Sequence, residues 1–484
     1  LCFLYFVIVA GPADGYEISI YDAYPRVAWV CFLGCFVCGI AIVFLQVFRG
    51  HSEGWRLAGL GIGVVLLANV TFLLLAFFRG YFISGRADLL MHLGYMRDIV
   101  DYGHVGKDNF YPFEHILGGA LIEICGLQVR HILPLFYVLF HLVYVFGVYF
   151  LARSLCDAQS RVLVVTCFAC LLIYHMFHVT IQPHTYAIFL LPLFLAFAFR
   201  RMSERFGGFS YSVLLMITSF AIVFCHPVVT LFIIGILGSL WLMLLAHGRR
   251  GYRSGNAWVL SEITINKSTV FHLVALTVVT FCFWYLNSWV IQDQVRNLFN
   301  WLFHPALNPA SEEVTAETLG SGVPVLQTVV IVVNRYGAPL LMVALALIAS
   351  TFIIRRTLSG RADVLSGEFF CVVFLLLSLG LSVLEMAASV GENTIDRITR
   401  FPLLPATLLV GLVGPALVLG SGGESFFARS RRWLGLRMLV IFAAVLGVGI
   451  LGYGAVYGAP RTARFNEEVT RMEIDGFQWI YEHR

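Results

Sequence analysis

Long apolar runs alternate with polar segments along the whole chain. About 13 runs are candidate membrane helices, since ~20 apolar residues cross ~30 Å of hydrocarbon. They lie near residues 1–10, 27–48, 57–77, 132–152, 160–177, 184–199, 208–225, 228–247, 268–288, 336–354, 368–388, 401–421 and 434–457. Three polar segments separate some of them, at about 78–131, 287–335 and 389–400. The first contains Ser84 to His115, SGRADLLMHLGYMRDIVDYGHVGKDNFYPFEH. A connector between helices needs only a few residues, so this stretch calls for another explanation.

Within it, DLLMHLGYMRDIVDY (Asp88–Tyr102) has the period of an amphipathic helix. Leu89, Leu90, Leu93, Met96, Ile99 and Val100 form its apolar side, and Gly103 ends it. Such a helix is expected to lie in the membrane interface. Asp88 and His92, four residues apart, share one face. Asp88 reads as an N-cap or as a carboxylate base held at the membrane surface, and spacing alone favours the cap. Glu114 and His115 follow YPF and precede Ile116–Leu127, an apolar segment too short to span. Glu114 is a helix cap or a site residue.

Composition agrees with a membrane protein. Of 484 residues, 59% are hydrophobic and only 12% charged, against about 25% charged in soluble domains. The mean hydropathy is +0.85. The apolar residues run continuously instead of alternating, which excludes a transmembrane β-barrel. A net charge of +4 implies no nucleic-acid partner. The 11 cysteines sit mostly within apolar runs, and the CxxC spacing of Cys167 and Cys170 reads as packing. The chain starts at Leu1 in mid-run and stops at Arg484 within MEIDGFQWIYEHR, so further residues are expected at both ends.

One set of loops carries Arg49, Arg56, Arg153, Arg161, Arg200, Arg201, Arg249, Arg250, Arg355, Arg356, Arg431 and Arg432, among others. More than half of the 32 basic residues lie there, which makes that side cytoplasmic. The long polar segments and the tail from about Gly458 then face the opposite, extracytoplasmic side. No GxxxxGK[ST] motif is present, which argues against ATP-driven chemistry. The sequons at Asn69 and Asn266 fall within a span and on the cytoplasmic side.

Other polar groups gather near the outer ends of spans. His175, His178, Gln182 and His184 occur in YHMFHVTIQPHTY, and His226 lies in CHPVV. Polar groups at such depth face the bundle interior or a wet cavity. Histidine is a common ligand of zinc and manganese, but there is neither HExxH nor a tight carboxylate cluster. The sequence therefore names no metal ligand and no certain cofactor, and leaves a divalent metal such as Mg or Mn open. Arg397 and Arg400 in DRITRFPLLP precede a late span. Each reads as a phosphate ligand or as an interfacial snorkelling residue. Glu385 sits near the end of the preceding span. Trp289, Trp301 and His304 are candidates for sugar stacking or for interface anchors.

The arrangement GRADLLMHLGYMRDIVDYG…NFYPFEHIL resembles the first external loop of the GT-C superfamily of polytopic glycosyltransferases. GYEISIYDAYPRVAW (Gly15–Trp29) resembles archaeal members, and EIDGFQWIYEHR resembles the start of their external C-terminal domain. The resemblance implies an all-α bundle over 1–457 with a helical first external loop, followed by the start of an extracytoplasmic segment at 458–484. It also implies transfer of a sugar from a polyprenyl (dolichyl) phosphate to a glycan, lipid or protein acceptor. Asp88 would be the base, with His92, Glu114 and His115 orienting base or acceptor. Arg400, with Arg397, would hold the lipid phosphate, and His178, Gln182, His184, His226 and Glu385 would supply cavity contacts. No WWDYG motif is present, a departure from oligosaccharyltransferases. The alternatives are a transporter or lipid flippase, and a ligase using a diphosphate-linked glycan.

Overall fold

A computed structural model of the protein describes residues 1–49, 55–86, 88–180, 182–202, 209–248, 267–286, 324–359, 366–388, 399–419 and 431–483, with single positions between 292 and 303. The first helices are α1 (Cys2–Val9), α2 (Ile20–Ala23), α3 (Arg26–Arg49), α4 (Trp55–Leu73) and α5 (Leu75–Phe78). Strand β1 (Ile83–Ser84) leads into α6 (Asp88–Tyr102) and α7 (Pro112–Cys125). Next come α8 (Val129–Leu155), α9 (Gln159–Ala169), α10 (Pro183–Met202), α11 (Phe209–Cys225), α12 (Pro227–Gly248) and α13 (Lys267–Tyr285). The last helices are α14 (Val325–Leu358), α15 (Gly367–Ala388), α16 (Leu403–Leu419), α17 (Arg431–Gly454) and α18 (Arg471–Glu482), with β2 (Glu468–Val469) before α18.

Among the described residues, 8 helices are long and apolar enough to cross a membrane. The count of about 13 expected from apolar run length exceeds this. Helices α9, α11 and parts of α16 and α17 are apolar but shorter. The run at 160–177 shows why: α9 stops at Ala169, and the chain then turns through buried Leu171–Tyr174 into a 3-10 turn at His175–His178. His175 has φ 51°, outside the α-helical region. Irregular backbone at this depth is tolerated where protein covers it, and α17 does so here. A Cβ on Gly452 would lie 3.0 Å from the Leu172 carbonyl oxygen.

Helices in lipid associate by close packing of small residues. A Cβ on Gly411 of α16 would fall 2.5 Å from Val165 Cα in α9, so the two backbones touch.

The chain ends are tied to the loop before α6. Arg79 Nη2 meets Glu17 Oε1 at 2.5 Å, Tyr81 donates to Glu17 Oε2, and Asn466 Nδ2 donates to the Glu17 carbonyl at 2.8 Å. Strands β1 and β2 pair antiparallel, with Ile83 opposite Val469 and Ser84 opposite Glu468. Thr470 and Glu473 form a capping box at the start of α18, and Arg86 donates to Glu473 Oε1 at 2.6 Å. Burial opposes the charge on Glu473, but the bonds from Arg86 and Thr470 outweigh it and hold its carboxyl below the usual range.

Gly411→Ala is expected to destabilise the bundle by about 1–3 kcal/mol, because overpacking forces backbone shifts. Gly94→Ala, on open helix surface, is the matched control, and thermal unfolding in detergent compares them. The Glu473 pairing adds about 0.5–1 kcal/mol. Because the folded carboxyl titrates below its unfolded value, that contribution is complete above the unfolded value and disappears as pH falls through the folded one. Hydrogen exchange should show α18 losing protection in that acidic window, and Arg86→Ala should flatten the dependence.

Candidate functional site

Helices α6 and α7 form a hairpin whose contact is made by small against large. Met96 is fully buried, and its Sδ lies 2.6 Å from where a Cβ on Gly118 would be. Leu89, His92 and Leu93 face the same way and are buried, whereas Leu90 and Met91 are about half exposed. The apolar side of α6 is therefore divided: its core docks on α7 and α8, a difference from the purely interfacial helix that amphipathicity alone suggests. Pro112 starts α7, and Gly126, with φ 63°, ends it. The N-cap position of α7 is Tyr111, without a side-chain cap bond, so Glu114 is not the cap.

Three of the four candidates in this hairpin come together beneath its surface. His92 is 5% exposed, Glu114 0% and His115 1%. His115 Nδ1 lies 2.8 Å from Asn109 Oδ1, an acceptor, so this ring nitrogen carries the proton. His115 Nε2 is then an acceptor, and His92 Nδ1 donates to it at 2.9 Å. Glu114 Oε1 stands 3.8 Å from His92 Nδ1 and 3.6 Å from His115 Nε2, and neither of its oxygens has a hydrogen-bond partner. Burial lowers His92 to about 4, the Asp88 charge opposing it. Burial and the neighbouring His92 lower His115 to about 3. Burial also pushes Glu114 well above the usual carboxylate range. Asp88 stands apart, exposed in the first turn of α6 and one turn before His92. Arg86 is engaged by Glu473.

A second group centres on Arg400, 2% exposed. Its guanidinium lies 3.0 Å from the centre of the Phe177 ring and 3.5 Å from both Gln182 Oε1 and Thr185 Oγ1. From Phe177 a file of rings leads on: His184 at 6.0 Å, His226 a further 5.4 Å, then Tyr111 another 5.4 Å, centre to centre. Tyr111 adjoins Pro112, the start of α7. Gln182, His184, His226 and Arg400 are thus linked to the hairpin that carries Asp88.

Beside this group α12 and α15 enclose an apolar groove of about 460 Å³, lined by Leu231, Phe232, Leu376, Leu381 and others. Phe232 also packs on Phe401, at 5.2 Å, next to Arg400 in the chain.

His178 belongs elsewhere. Its ring meets His141 at 5.3 Å and Phe189 at 5.2 Å. His141 Nε2 in turn lies 3.1 Å from Asn69 Nδ2, and Tyr453 donates to Asn69 Oδ1 at 2.7 Å. His141 and Tyr453 were not singled out from sequence, and Asn69 only as a sequon, although a polar residue inside an apolar run was a usable signal. Asn69 is 0% exposed, which removes its sequon from consideration. Asn109, Tyr111, Phe177 and Thr185 carried no such signal. Glu385 lies on α15, but its side chain falls outside the described residues, as do Arg397, Trp289, Trp301 and His304.

The fold is similar to that of archaeal oligosaccharyltransferases from Archaeoglobus fulgidus. AglB in complex with an inhibitory peptide and a dolichol-phosphate matches with a TM-score of 0.53 at 14% identity, over 87% of this chain and 58% of that one. The apo form of the oligosaccharyltransferase matches with 0.54 at 13% identity, over 87% and 58%. The form tethered to an acceptor peptide containing the NVT sequon matches with 0.52 at 13% identity, over 86% and 57%. The expected all-α polytopic bundle is the fold found, and these enzymes share it. The chain spans under two thirds of the length of these neighbours. No protein-family model matches the sequence, and no curated protein matches it.

Asn109→Ala should strand the His115 N–H in a buried site and cost about 1–3 kcal/mol. Asp108→Ala, on the exposed neighbour, should change stability by less than about 0.5 kcal/mol. Thermal unfolding of the two variants in detergent tests the difference.

Proposed function

We propose that the protein is a membrane glycosyltransferase that moves a sugar from a polyprenyl (dolichyl) phosphate to an acceptor at the extracytoplasmic face. The observation that carries this reading is the position of Arg400. It is a buried guanidinium linked by a file of rings to the α6–α7 hairpin, and its chain neighbour Phe401 packs on Phe232, which lines a large apolar groove. The groove suits an isoprenoid tail. Arginine suits a phosphate, whose oxygens it binds in pairs. The fold, shared with an oligosaccharyltransferase in complex with an inhibitory peptide and a dolichol-phosphate, supports the same donor class.

In this mechanism the acceptor hydroxyl attacks the anomeric carbon as its proton passes to the Asp88 carboxylate. The bond from the anomeric carbon to the phosphate oxygen breaks on the opposite face, which inverts the configuration. The departing lipid phosphate takes the electron pair, and Arg400 stabilises the charge that develops. Gln182 and Thr185 fix the guanidinium. His92, Glu114 and His115 are too buried to meet a large acceptor, so they hold the end of α6 on which Asp88 stands. Asp88 itself is exposed, as a base that must reach an incoming acceptor requires.

A second reading keeps the same machinery but moves a whole glycan from a lipid-linked donor to peptide. It is favoured by the fold neighbours, one of which is tethered to an acceptor peptide.

Purified protein in detergent should transfer label from one member of a dolichyl-phosphate-sugar panel. Asp88→Asn is expected to reduce transfer by about 10²–10⁴-fold, the scale of general-base catalysis. Arg400→Gln should cost about 10²–10³-fold, the scale of one electrostatic stabiliser. Full activity in a well-expressed Asp88→Asn protein would rule out the assigned base. Transfer only from a diphosphate-linked glycan, to a peptide, would select the second reading.

A further inference from the structure

We propose that His92, His115 and Glu114 form a binding site for one divalent cation, zinc, that clamps α6 to α7. The argument starts with the donor atoms. His92 Nδ1, His115 Nε2 and Glu114 Oε1 form a triangle with edges of 2.9, 3.6 and 3.8 Å. The centre of such a triangle lies roughly 2 Å from each corner, within the range of zinc bonds to imidazole nitrogen and carboxylate oxygen. The three atoms come from two helices that the chain must bring together, and all three residues are buried.

Two further observations point to a ligand. Both Glu114 oxygens are buried without a hydrogen-bond partner on another residue, an arrangement that costs stability unless something else satisfies them. His115 donates its remote nitrogen to Asn109 Oδ1 at 2.8 Å. That bond sets the tautomer whose Nε2 lone pair faces the triangle, the same support that metal-bound histidines commonly receive. In the metal-free state a single proton bridges the two imidazoles. The cation takes the place of that proton, and His92 carries its own proton on Nε2 instead.

Two imidazoles and one carboxylate favour a borderline first-row ion over magnesium, which prefers an all-oxygen octahedron. The site lies one helical turn from Asp88. The ion would fix the direction in which the start of α6 points and would bind whether or not the protein transfers sugars.

The test measures metal directly. Purified wild-type protein is stripped with chelator and reloaded separately with zinc, manganese and magnesium. After gel filtration its metal content is measured, alongside the thermal unfolding of each sample. Zinc near one equivalent per chain and a raised unfolding midpoint are expected for the wild type, with weaker retention of manganese and least of magnesium. Glu114→Gln, which preserves shape, and His92→Phe should each lose that equivalent. Asn109→Ala should weaken zinc binding about 10–100-fold, the usual effect of removing such a supporting bond. Cobalt substitution separates this site from cysteine binding, because a two-imidazole, one-carboxylate site gives no thiolate charge-transfer band. Equal zinc in wild type and Glu114→Gln, a thiolate band, or no retained metal in folded wild-type protein would overturn the proposal.

Discussion

A chain that crosses lipid has no water at mid-depth to satisfy its polar groups, so every such group must find a partner within the protein. This constraint explains most of the interior. Asn69, His141 and Tyr453, from three helices distant in sequence, hydrogen-bond in one buried group centred on Asn69. Tyr457 donates to the Phe72 carbonyl oxygen, and Tyr285 to that of Val223. Where backbone leaves helical geometry after α9, α17 covers it. Several buried polar atoms among the described residues lack such a partner, among them both Glu114 oxygens and both His178 ring nitrogens.

Close packing supplies the rest. Lipid is as apolar as leucine, so helices gain little by hiding leucine from it. Glycines let backbones touch, as Gly411 does on α9, and the same device operates outside the spans, where Gly118 admits Met96. The α6–α7 hairpin is therefore held by shape and by the His92–His115–Asn109 chain together. Its base is tied down by β1, β2 and Arg86, so that the start of α6 is fixed from both sides. A base at Asp88 would need such fixing, since a catalytic group displaced by about 1 Å can lose about 10² in rate.

Run length, loop charge and helical period are properties of neighbouring residues, and they were enough to identify a helical membrane protein, to place α6 between Asp88 and Gly103, and to single out His92, Glu114, His115 and Arg400. The all-α bundle expected from the sequence is the fold that the structure has. The break in the run at 160–177 was not legible, because an apolar run looks alike whether it stays helical or breaks, as it does at His175. Which polar residues meet was settled only in three dimensions. His92 lies in α6 and Glu114 and His115 in α7, and nothing local says that their donor atoms converge. The same holds for Arg400, which reaches Tyr111 through rings from three other segments. Local pattern determines what each segment can be, because it is set by the residues a helix turn apart. Which groups share a site depends on how the segments pack, because those contacts join residues far apart in the chain.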